Sequence, residues 1–202
     1  MVRVFLDCET TGLPKNWGAP LDQWPRMVEF AAIKVEGTTV IDKLHFIVKP
    51  QGFYIPDEST RLHGISHAKA MREGIEIGEG LKMIKVFLDG SPEQVWPAVR
   101  AEKIIIHNAQ FDTKIIVGEM IRLNPNERSL LRDPRLFCSK EKSTQILKLP
   151  YENGRKGFKW PSLHDLCKYC DVVNEDAHSA MADVMATYEC WKKMREKGHW
   201  LL

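Results

Sequence analysis

The stretch FLDCETTGL, Phe5–Leu13, organises the reading of the whole chain. An apolar run delivers an Asp and a Glu two positions apart, then breaks at Thr-Thr-Gly. Successive side chains of a strand point to opposite faces, so Asp7 and Glu9 project together and Cys8 points away from them. Two carboxylates on one face repel unless something positive lies between them. A divalent cation, which takes oxygen ligands, meets that need.

The chain has 202 residues, which suits one domain with a sizeable core, and a single domain over residues 1–202 is expected. A content of 44% hydrophobic and 28% charged residues is ordinary for a soluble globular protein. The net charge of +2 is too small to specify a partner. Five cysteines, at positions 8, 138, 167, 170 and 190, form no disulfide framework. Their odd count predicts reduced thiols and a cytoplasmic protein. No apolar run reaches the ~18 residues of a membrane span, so no membrane partner is expected. MVRVFLD enters a strand at once, leaving no room for a signal peptide.

VRVFLDC reads as a buried strand, and TGLPKNWGAPLDQWP as a loop punctuated by Gly and Pro. RMVEFAAIKVEG and TTVIDKLHFIVKP alternate as a hairpin turning at Glu36-Gly37. IPDESTRLHGISHAKAMREG reads as short helical turns. EIGEGLKMIKVFLDG is helical, with Leu81, Ile84 and Leu88 on one stripe. EKIIIHN is a short buried strand. AQFDTKIIVGEMIRL follows as a helix closed by Asn124-Pro125. SLHDLCKYC and HSAMADVMATYECWKKMREKG are helical, with Gly198 just past the end of the second. An antiparallel hairpin beside parallel strands makes an α/β domain with a mixed sheet.

Acids recur where packing does not ask for them. Asp112 stands one turn into the helix after KIII, and Asp183 lies among Ala and Met on the last helix. Each alone is also a plausible helix acid. In a layered α/β domain, however, both can converge with Asp7 and Glu9 at the carboxyl edge of the first strand. A two-metal phosphoryl-transfer site requires several carboxylates in this way. His178 precedes Asp183 by five residues, an offset that does not share a helical face. It therefore belongs on the loop entering the helix, where a neutral imidazole can take a proton from water.

FLDCETTGL, HNAQFD and HSAMAD, in this order, resemble the three exonuclease motifs of the DnaQ-like 3′–5′ exonucleases. The His before the last Asp is similar to the DEDDh branch; the sister branch carries a Tyr where this chain has Ser179. LHGIS, Leu62–Ser66, and SLHDLC, Ser162–Cys167, resemble further family elements. The resemblance spans about residues 2 to 195. It implies an RNase H-like fold with a mixed five-stranded sheet and flanking helices. It also implies two Mg2+ ions per site, with Mn2+ able to substitute.

The family's roles carry over by position. Asp7, Glu9 and Asp183 would hold the ion that activates water, and Asp7 and Asp112 the ion at the leaving 3′ oxygen. His178 would be the general base. Thr10, Thr11 and Gly12 would meet the terminal nucleotide. Leu13 and Ile65 would wedge against its base, or else be ordinary core. His107 and Asn108 would support the scissile region, His107 being as well suited to a structural role. The implied activity is 3′–5′ hydrolysis of single-stranded DNA to nucleoside 5′-monophosphates. The alternatives are an RNA-trimming enzyme of the RNase T or oligoribonuclease type and a catalytically silent polymerase-associated subunit. Intact acids at every position speak against the last. A polymerase or replication protein is a candidate partner, although an end soon after the last helix favours a standalone enzyme.

Two further segments admit two readings each. Cys138–Trp160 carries six Lys/Arg against two Glu, a net of +4, interleaved with Tyr151, Phe158 and Trp160. It would either track a nucleic-acid backbone or form a solvated basic loop. His164, Cys167 and Cys170 are spaced like a fragment of a zinc site, but i, i+3, i+6 on an apolar-faced helix reads more simply as packing.

Overall fold

The first strand, β1 (Val2–Thr10), is buried on both faces and divides the molecule. Val4, Leu6 and Cys8 point into one core and Phe5 into another. The computed structural model describes residues 1–90, 99–126 and 128–200. Among these, β2 (Met27–Glu36) and β3 (Thr39–Ile47) form the expected hairpin. β4 (Lys103–Ile106) and β5 (Leu136–Cys138) complete a sheet of order β3-β2-β1-β4-β5. β1 pairs antiparallel with β2 and parallel with β4, which pairs parallel with β5. The sheet is therefore mixed and five-stranded, as expected.

Helices cover both faces. On the Cys8 side lie α3 (Ile77–Asp89) and α4 (Ala109–Leu123), whose Leu81, Ile84, Ile116 and Val117 meet Val4, Phe30 and Ile104. On the Phe5 side lie α6 (Leu163–Cys170) and α7 (Ala180–Glu196). Phe5 packs edge-on against Tyr188 and Trp191 of α7, at 5.3 and 5.5 Å between ring centres. Burying such rings removes large apolar areas from water, roughly 25 cal/mol per Å². The LHGIS stretch joins α1 (Asp57–His63) to α2 (His67–Glu73).

Part of the basic segment departs from the loop reading. Ser139–Leu147 is a nine-residue helix, α5. It hid because seven of those residues are polar or charged, leaving Ile146 and Leu147 as its apolar anchors. The remainder, up to Trp160, is a loop whose ends are tied by a bond from the Lys159 N–H to the Leu149 carbonyl.

The zinc alternative is not supported. Cys167 and Cys170 are buried against Cys190 of α7, whereas His164 is exposed, so helix packing accounts for the spacing. All five cysteines are free. No described helix is long and apolar enough to cross a membrane.

Gly80 shows how closely α3 seats on the sheet. A Cβ at this position would lie 2.6 Å from the Phe46 ring of β3. Gly80→Ala should therefore destabilise the protein by roughly 1–3 kcal/mol through overpacking. This would occur despite the helix propensity gain of about 1 kcal/mol for Ala over Gly. Thermal or urea unfolding checks it; an unchanged or raised midpoint would show that Phe46 yields.

Candidate active site

Because β1, β4 and β5 run parallel, their carboxyl ends open on one edge. Three of the expected acids reach this edge from different elements. Glu9 comes from β1, Asp112 from the first turn of α4, and Asp183 from the first turn of α7. They line a cleft of about 270 Å³ together with Asp7, Leu13, His107 and Asn108. A larger cavity, about 610 Å³, lies between α3 and α4 and contains none of the candidate residues. Chemistry rather than size locates the site.

The carboxylates are individually held. Asp112 Oδ1 accepts the Cys8 N–H at 3.0 Å, which fixes α4 against β1. Asp183 Oδ1 accepts from the Asn174 side chain at 2.6 Å. One ligand atom each from Glu9, His178 and Asp183 lie within 4.8 Å of one another. His178 is exposed in the turn just before α7, as the five-residue offset required. Its φ of 71° and that of Asn108, 79°, are left-handed values adopted by four described non-glycine residues. Two of those four thus fall in the site, where strained backbone concentrates.

Electrostatics show what this convergence does to the acids. Burial, then the charges of Asp112, Asp183, Glu9 and Glu29, push the Asp7 carboxyl well above its usual range. Burial, then Asp183, Glu29 and Asp112, lift Glu9 to about 8. Burial lifts Asp112 to about 8 against the opposing bond from Cys8. Asp183 is raised by burial, against opposing bonds from Asn174 and the nearby His178. Buried acids with raised affinity for protons also have raised affinity for cations. The donor set of four carboxylates and one imidazole fits hard divalent ions.

The other candidates separate into those at the cleft and those held elsewhere. Leu13 is 83% exposed at the cleft and offers an apolar face. Ile65 is 3% exposed, packed with Val28, Ile47, Ile55 and Ala70. Of the two readings given for Ile65, its side chain here lies in a small core under α1 and α2. The Thr10 hydroxyl donates to the Gly12 carbonyl at 2.7 Å, and Thr11 Oγ1 accepts the Arg26 N–H at 2.9 Å. Both hydroxyls therefore brace the turn, where Gly12, at φ 133°, tolerates a backbone that side chains disfavour. Burial, then Lys140, holds His107 down to about 4, and its Nδ1 shares a 3.0 Å hydrogen bond with Ser139. That ring is neutral at physiological pH.

Two contributors escaped the sequence reading. Glu29, 6% exposed, lies directly across from Glu9 in the β1–β2 register. Its Oε2 accepts the Ala180 N–H at 3.0 Å and its Oε1 meets His45 at 2.7 Å. It thus ties the start of α7 to the sheet. A lone Glu inside the apolar run MVEFAAIKV was the available signal. Asn174 carried no comparable mark.

Comparison with known proteins agrees with this geometry. The RNase T family model, described as exonuclease, matches residues 4–190. DNA polymerase III subunit epsilon of Rickettsia conorii is 32% identical over 194 residues, covering 95% of this chain and 72% of the relative. Its counterpart from Rickettsia prowazekii is 31% identical over 191 residues, covering 93% and 71%. Among solved structures, apo exonuclease I superposes with a TM-score of 0.70 at 21% identity, over 96% of this chain. E. coli exonuclease I in complex with a dT13 oligonucleotide also gives 0.70 at 21%. This chain spans 42% and 41% of those two proteins, and at such identity the likeness is one of fold.

The raised carboxyls give a pH signature. Their folded affinity for protons exceeds the unfolded one, so the folded state is favoured at low pH and loses stability as the groups ionise. Metal-free protein should lose stability as pH rises from about 4 to about 8, where Glu9 and Asp112 titrate. Millimolar Mg2+ should flatten that slope. Melting temperatures across the range, with EDTA and with Mg2+, check both parts. Equal slopes in the two series would mean that the acids bind no ion.

Proposed function

This chain belongs to the DnaQ-like 3′–5′ exonucleases of RNase H-like fold, and from that premise we propose that it shortens single-stranded DNA from the 3′ end with two divalent ions and His178 as general base. The observation that carries the reading is the meeting of Glu9, His178 and Asp183 within 4.8 Å, beside Asp7 and Asp112 in one cleft. The preference for DNA over RNA leans on the relatives, which are DNA polymerase subunits by name. The same relatives make a replication polymerase the candidate partner.

Asp7, Glu9 and Asp183 would hold one ion and Asp7 and Asp112 the other. Bound there, Mg2+, or Mn2+ in its place, supplies Lewis acidity at the phosphate and lowers the pKa of the attacking water. The protein's own part is to position and to move a proton. His178, on its exposed turn, reaches the space beside Glu9 and Asp183 and accepts the proton of the attacking water at an imidazole nitrogen. Leu13 presents an apolar surface to the terminal base, and the Thr10–Gly12 turn its backbone to the sugar. Asn108 and the neutral His107 shape the floor below the scissile bond.

A product assay with 5′-labelled DNA and RNA oligomers of one sequence, with Mg2+ and with EDTA, tests the reading. Stepwise shortening of DNA with Mg2+ is the expected result, and a faster RNA ladder would reassign the substrate. Asp112→Ala should abolish turnover, and activity near wild type would remove the two-ion scheme. His178→Ala should slow hydrolysis by ~10²–10⁴-fold. It should also erase the acidic limb of the pH–rate profile; a limb that persists would place the base elsewhere.

A further inference from the structure

Lys140 is the one lysine or arginine among the described residues lining the cleft of the acids. It stands on the first turn of α5, immediately after β5. β5 lies two strands from β1, roughly 10 Å at ordinary strand spacing. Lys140 is half-buried, with its Nζ 5.6 Å from the ring centre of Trp160. Trp160 is 54% exposed, while the other four described tryptophans are half-buried or buried. It is not on a loose tip. The Lys159–Leu149 backbone bond and the bridge between Pro150 and Phe158 close the loop just before it. Ser162 and Leu163, just after it, line the cleft.

A cation lining the cleft and an exposed indole thus sit side by side, with the residues just after the indole lining the same cleft. A phosphate and a base, one nucleotide apart from the bond being cut, match that pair in charge and shape. Resting on the exonuclease reading above, we propose that Lys140 and Trp160 form a subsite for the penultimate nucleotide. Lys140 contacts its 5′-phosphate and Trp160 stacks its base. The cleft needs such a fixed charge. Its acids repel a polyanion wherever ions do not cover them, and Lys140 offsets this at the β5 side of the cleft. Stacking on an indole is indifferent to base identity, so the subsite would grip any sequence.

Dinucleotides isolate the two contacts. The comparison is TpT against pTpT, which differ only in the 5′-phosphate of the penultimate residue, with the p-nitrophenyl ester of thymidine 5′-monophosphate as a one-nucleotide control. Wild type should hydrolyse pTpT with a higher kcat/KM than TpT. Lys140→Ala should bring the pTpT-to-TpT ratio of kcat/KM, about tenfold in wild type, down to about one. Trp160→Ala should lower both dinucleotides at least about fivefold. The nitrophenyl ester should report an intact catalytic centre in the Lys140 variant. An equal loss on TpT and pTpT in that variant overturns the phosphate contact. Unchanged dinucleotide rates in Trp160→Ala overturn the stacking. If wild type cleaves none of the three substrates with Mg2+, the exonuclease reading itself has failed and the subsite with it.

Discussion

Four carboxylates, Asp7, Glu9, Asp112 and Asp183, share one cleft although each repels the others. The surrounding structure is arranged to impose that repulsion and keep it in place. Backbone and side-chain donors, the Cys8 N–H and the Asn174 amide, orient two of the acids rather than neutralise them. Burial does the rest, raising the affinity of Glu9 and Asp112 for any positive charge that enters. The fold therefore carries a local instability that a bound cation would relieve. A binding site is built by preventing the protein from satisfying itself.

The mixed sheet is what makes this possible. β1 and β4 run parallel, so the residues following each emerge at the same edge. The acid of α4 then meets those of β1 from one face, and α7 brings its acid from the other. Asp7 and Asp183 are far apart in the chain, yet each lies within a turn of the place where its element begins or ends at that edge. The seating of the helices is close: Gly80 of α3 lies against Phe46, which the register places level with Cys8 of β1.

Much of this was legible because β1, α4 and α7 wear their acids against apolar backgrounds, where an exception is conspicuous. The hairpin was legible from its alternation, and α4 from its closing Asn-Pro. The hidden parts share a physical cause. α5 is polar on most of its surface and touches the core with two residues, so it lacks the stripe that marks a helix. Ile65 stayed open between two readings because an apolar residue next to a glycine in a loop looks the same in sequence whether it faces a ligand or a small core. Glu29 was passed over as part of a strand, since its partner, the Ala180 N–H, lies 151 positions away.

The bond from Ala180 to Glu29 also separates two kinds of chain around it. After it, α7 is clamped to the sheet through Val184, Tyr188 and Trp191. Before it, residues 175 to 178 are exposed, with no regular structure beyond turns. Exposed turns accept added or removed residues far more readily than clamped ones. An insertion there would displace His178 and lengthen the path between Asn174 and the Asp183 it holds, while Glu29 would still set the register of α7 at Ala180. The length of this entry turn thus sets how far His178 stands from Glu9 and Asp183, while α7 itself stays seated on the sheet.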